Sequence, residues 1–198
     1  NFIYIYAYKS IYMQSLKYSS LILFFSLLFS STIQSQIVSG ESFMKANYVE
    51  IGVNQYGIYG TSNNAPTGYH PRLNSSARNL GFVADPAKDG WTVGTPTYYG
   101  DFFYPGTPQE GFAVQFNGNT YRNWNIGFFN IPGSNLSHVV DATGVTSIWE
   151  GTVSGLKVNQ KTFAPLNEVF FVVRIELTNT TGADMTDVYY MRTLDPDN

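Results

Sequence analysis

Fourteen aspartates and glutamates, eleven lysines and arginines and two histidines supply the ionisable chemistry of this 198-residue chain, which has no cysteine. Zinc-finger, iron–sulfur and thiol chemistry are therefore excluded, as is a disulfide framework. His70 sits between prolines in A-P-T-G-Y-H-P-R, and His138 opens H-V-V-D. Neither is accompanied by the G-x-S-x-G elbow of a hydrolytic triad or by H-E-x-x-H, so neither is expected to be catalytic. Paired carboxylates remain a route to sugar hydrolysis, because the two acids of a glycosidase come from separate strands and leave no local motif. Glu50, Asp101, Glu110, Glu150 and Glu176 are the donors available. Spacing alone cannot place two of them at the separation of about 5–10 Å that the reaction needs, and they read as solvating exposed faces and loops. The chain is expected to be non-enzymatic.

Asp195 and Asp197, with Asn198, form an oxygen-rich group after an apolar segment. Calcium takes six to eight such hard ligands. These residues are candidate calcium ligands, against the plainer reading that aspartates in turns bond their own backbone. No other cofactor is implied. Five rings lie between Tyr98 and Tyr104 in a stretch broken by glycine and proline, and Trp91 and Trp124 fall near turns. Flat amphipathic rings in loops can stack on sugars, which makes Trp91, Tyr99 and Phe103 candidate glycan contacts. The competing reading is that the rings fill a core, and Trp149, inside a strand-like run, is assigned there. Sequons at Asn74, Asn135 and Asn179 are expected by chance in so Asn-, Ser- and Thr-rich a chain.

The elements that must position these residues are strands. No apolar repeat of period 3.6 persists after Gln36, whereas period-two alternation recurs. Val49, Ile51 and Val53 alternate with Glu50 and Gly52, predicting a strand with one wet face, and residues 61 to 79 read as a long loop. Leu80 to Ala84 predicts a short strand ending at Asp85-Pro86. Phe112, Val114 and Phe116 lead into Asn117-Gly118, the strongest short hairpin signal, because both residues accept the positive φ of a type I′ turn. A second pair covers Ser147–Val153 and Leu156–Phe163 around Ser154-Gly155. Glu168 to Thr178 predicts a strand that is apolar on both faces in its first half, hence central there, with Val188–Leu194 as its return strand. Arg192 and Asp195 are placed to fix that strand's end by a charge-assisted contact. The fold class expected is all-β, an antiparallel β-sandwich.

Ahead of it, Lys17 precedes the apolar run Leu21–Phe29, followed by S-S-T-I-Q-S-Q. This is a secretory signal peptide in length and flanks, too short to span a bilayer. Residues 1–12 read as non-native upstream translation, 13–35 as the helical signal peptide and 36–198 as the β-sandwich domain, which is expected to be incomplete at its C-terminus. The mature form is expected to be secreted or at the cell surface, without a membrane span. A net charge of −3, only 13% charged residues and 17% aromatics argue against nucleic-acid binding and against disorder.

Several phrases in order carry a resemblance: V-E-I-G-V-N-Q-Y-G-I-Y-G-T at 49–61, A-P-T-G-Y-H-P-R at 65–72, L-G-F-V-A-D-P-A-K-D-G-W at 80–91, G-D-F-F-Y-P-G-T-P-Q-E-G-F at 100–112 and the closing V-R-I-E-L-T-N-T-T-G-A-D-M-T-D-V-Y-Y-M-R-T-L-D-P-D-N. Together they resemble the N-terminal region of large secreted, adhesin-like surface proteins of Bacteroidota that end in type IX secretion or gliding-motility-associated domains. The resemblance implies an exported, non-enzymatic module whose partners are other domains of the same longer protein and, on the alternative reading, surface glycans. That alternative is a carbohydrate-binding module or part of a carbohydrate-active enzyme with a sandwich fold. The resemblance transfers no catalytic residue.

Overall fold

The computed structural model describes residues 36–69, 79–85 and 109–195. The signal peptide, His70, Trp91, Tyr99, Asp101, Phe103 and Asp197 lie outside the described residues. Among those described there is no helix, hence none long and apolar enough to cross a membrane. The described residues form twelve strands in three antiparallel sheets.

The first sheet holds β1 (Ile37–Val38), β2 (Glu41–Lys45), β3 (Val49–Val53) and β4 (Phe82–Ala84), in chain order. A meander of β8 (Gly133–Val140), β9 (Gly144–Val153), β10 (Leu156–Pro165) and β11 (Val172–Asn179) forms the second. The third contains β5 (Gln109–Phe116), β6 (Asn119–Trp124), β7 (Phe128–Phe129) and β12 (Tyr189–Asp195), ordered β12-β5-β6-β7. Three consecutive strands with a fourth returning beside the first make a Greek-key order.

The turns follow the expected chemistry. Asn117 and Gly118 have φ of 49° and 75°, and Ser154 and Gly155 have 46° and 81°, the paired positive values of type I′ hairpins. One face of the meander packs against both other sheets, making the sandwich. Val145 and Ala164 meet Met44, Ile51 and Val53 of the first sheet. Trp149, Leu156 and Val158 meet Phe112, Val114 and Phe116 of the third. Trp149 is fully buried and donates its indole N–H to the Gln55 carbonyl at 2.9 Å, as its core assignment requires. Side chains at Gly57, Gly133 or Gly151 would collide with that indole, so glycine is needed there to let it lie flat between strands.

Three expectations are corrected. The wet face expected for β3 is covered: every residue of the strand is buried. From the described parts of the connection after it, Ala65, Tyr69 and Leu80 pack on Phe43 and Val83 of the sheet. Glu50 survives there because Lys45 pairs with it at 2.8 Å. The strand expected from Glu168 begins at Val172 and lies at the meander's edge rather than its centre, and Val169, Phe170 and Val172 are each about half exposed. The segment from Val188 does not return to that strand. It crosses to the third sheet and pairs with β5, Met191 opposite Ala113 and Arg192 opposite Phe112.

Candidate functional site

Alternation along β5 and β12 sends one set of side chains into the sandwich and the other into solvent. The inward set contains a buried polar cluster. Glu110 on β5 is 1% exposed and takes Arg192 Nε on Oε1 at 2.7 Å and the Tyr59 backbone N–H on Oε2 at 2.6 Å. Arg192 also donates to Gln160 Oε1 on β10 at 2.7 Å and to the Gly57 carbonyl at 3.3 Å, with its Cζ 4.1 Å from the centre of the Tyr59 ring. The Tyr59 hydroxyl shares a hydrogen bond with Thr162 at 3.0 Å. Burial pushes the Glu110 carboxyl above its ordinary range, and Arg192 and the Tyr59 N–H pull it partly back. Burial opposes the Arg192 charge as well, but Glu110, Tyr59 and Tyr190 outweigh it and the guanidinium pKa rises. The cluster thus holds a paired guanidinium that joins β12 and β5 to β10 and to the loop after β3. Sequence reasoning assigned Arg192 to Asp195 and Glu110 to a solvated face. The structure pairs these two with each other, because Arg192 is inward-facing once β12 lies beside β5.

Other polar groups lie elsewhere in the fold. Glu150 meets Lys157 at 3.4 Å and Glu176 meets Arg174 at 3.6 Å on the meander's outer face. Glu41, buried on β2, accepts the backbone N–H groups of Ser62 and Asn63 at 2.8 and 2.9 Å and so ties down the loop beneath the first sheet. His138 is buried, its Nδ1 2.9 Å from Ser42 Oγ, and burial lowers its pKa. The Asn135 amide donates to the carbonyls of Gly40, Val53 and Asn54, and that of Asn179 donates to the Ala183 carbonyl, so both sequon amides are used within the fold. Asp195 ends β12 opposite Gln109. Among the described residues no three histidines, aspartates or glutamates gather in a way that could hold a metal.

The outward set on the third sheet makes a groove of about 270 Å³. Its floor is the central strand, where Gly111 and Ala113 stand between taller neighbours. Cross-strand register puts Thr193 and Trp124 on either side of Gly111, and Met191 and Arg122 on either side of Ala113. Any side chain at Gly111 would strike the backbone and Cβ of Trp124, so glycine keeps the floor low. Phe128, opposite Trp124, stacks on it with centroids 6.3 Å apart and carries the Arg122 guanidinium at 4.0 Å. On β12, Met191 lines the other wall and Tyr189 lies two residues further along the same face; they are 63% and 61% exposed. Of these residues only Trp124 attracted notice from sequence. The signal for the rest was the polar or small phase of the same alternation that marks Phe112, Val114 and Phe116 as core, and it becomes a surface only when β12 is known to lie beside β5.

No family model, curated protein or solved structure matches the chain.

Proposed function

We propose that residues 36–198 form a non-enzymatic β-sandwich module of an exported, surface-associated, adhesin-like protein, and that its binding surface is the outward face of β12-β5-β6-β7. The observation that carries this is the division of labour across β5 and β12. Each carboxylate named as a potential acid or base and lying among the described residues is held by a lysine or arginine, and the inward pair is built into the core. The solvent-facing side instead presents Trp124, Phe128, Arg122, Tyr189 and Met191 around a low floor. Aromatic residues, methionine and arginine are the types enriched where proteins bind. The Bacteroidota-like phrases and the leader support the exported setting and a place among other domains of a longer chain. The groove also favours the second reading, a sugar-binding module, over a plain spacer.

Incubation of the chain with a panel of polysaccharides should release no new reducing ends. Release that disappears in Glu110→Gln or Glu50→Gln would overturn the non-enzymatic reading.

A further inference from the structure

Arg122 is a charge on this face that the core does not use. Its guanidinium lies against Phe128, and no carboxylate pairs with it among the described residues; the same is true of Lys161 on the exposed side of β10, whereas Arg192, Arg174, Lys45 and Lys157 each have one. The chain as a whole is acidic, with a net charge of −3, so an unpaired cation beside an apolar groove is a local departure. With its Cζ 4.0 Å from the Phe128 ring centre and no carboxylate on it, the guanidinium retains N–H donors spaced for a carboxylate. The groove is the size of the smaller small-molecule sites, whereas a stable protein interface covers about 800 Å² on each partner. Thr120, Thr193 and Trp124 line it. A ligand matching this set combines an apolar face, hydroxyls and a carboxylate.

We propose that the groove binds glycans built from uronic acids, with the sugar carboxylate on Arg122 and a sugar face on Trp124. This rests on the outward face being the binding surface. From the Gln115 row to the Gly111 row the groove runs about 14 Å, four residues of strand, which gives room for a short oligosaccharide rather than a single sugar.

Calorimetric titration of the full chain tests it, using oligogalacturonate, alginate oligomers, fully methyl-esterified oligogalacturonate and oligoglutamate of matched charge. At least one uronate should bind at least tenfold more tightly than the ester and the oligoglutamate. Arg122→Gln should weaken that binding at least tenfold with the melting temperature unchanged. Arg122→Lys, which keeps the charge but loses the planar fork, should fall between. Equal affinity for oligoglutamate would overturn the proposal in favour of an acidic peptide or general polyanion site, and equal affinity for the ester would remove the carboxylate from it. Absence of binding to both uronates, or binding indifferent to both Arg122 variants, would also overturn it. Those outcomes leave the non-enzymatic reading standing, since that reading is decided by product release.

Discussion

At Glu110 and Arg192 burial and pairing act against each other. Taking both charges out of water costs several kcal/mol per ion, and their contact offsets this only because Gln160, Gly57 and Tyr59 satisfy the remaining atoms. The pair is therefore better understood as setting which strands meet than as a large net source of stability. His138 gives a pH-dependent counterpart. Its pKa is lowered from 6.5 by burial, so the fold keeps it neutral while the unfolded chain takes up a proton near 6.5. Below that pH the unfolded state binds more protons, and stability falls as pH drops from 6.5 through the depressed folded value. Urea unfolding at about pH 7.5 and about pH 5 should show this loss, with a smaller loss in His138→Gln. An equal loss in both proteins would place the titration elsewhere.

Hairpins were the most legible elements, because their signal is local. Asn117-Gly118 and Ser154-Gly155 announce turns whatever lies around them, and the strands they join alternate cleanly. Gly118 has φ of 75° and nothing within 4 Å of where a Cβ would stand, so its constraint is purely that of the backbone. Gly118→Val should cost about 1 kcal/mol or more, since a β-branched residue resists positive φ. An unchanged melting temperature would contradict a type I′ turn. What could not be read was non-local. The alternation of β12 is satisfied equally by β11 or β5 as neighbour, and only packing decides. The apolar first half of the segment from Glu168 implied a central strand, yet of its early residues only Phe171, against Tyr59 and Phe82, and Val173 pack on the core. On β3, Glu50 looked solvated because neither its pairing with Lys45 nor the covering loop leaves a periodic trace.

For the whole molecule, the all-β class followed from composition and period, since glycines and aromatics at short spacing favour strands and turns over helices. The three-sheet arrangement did not, because a sheet order depends on contacts between residues far apart in the chain. The candidate site was legible only in part for the same reason: Trp124 stood out by type, while Gly111, Ala113, Arg122 and Met191 acquire meaning from register. At this scale the proposed exported setting makes a prediction. N-terminal sequencing of exported material should begin at Gln36, cyclised to pyroglutamate or not. Retention of Leu21–Phe29 would contradict the signal peptide. On β12, β5 and β6 the charges that hold strands together face inward and Arg122 faces outward, a division decided by the unfolding free energies of Arg192→Ala and Arg122→Ala measured side by side in urea. Arg192→Ala strands Glu110 in the core and should cost about 3–5 kcal/mol. Arg122→Ala removes an outward guanidinium and should stay within about 0.5 kcal/mol of the parent. Equal costs, or a larger cost at Arg122, would contradict that division.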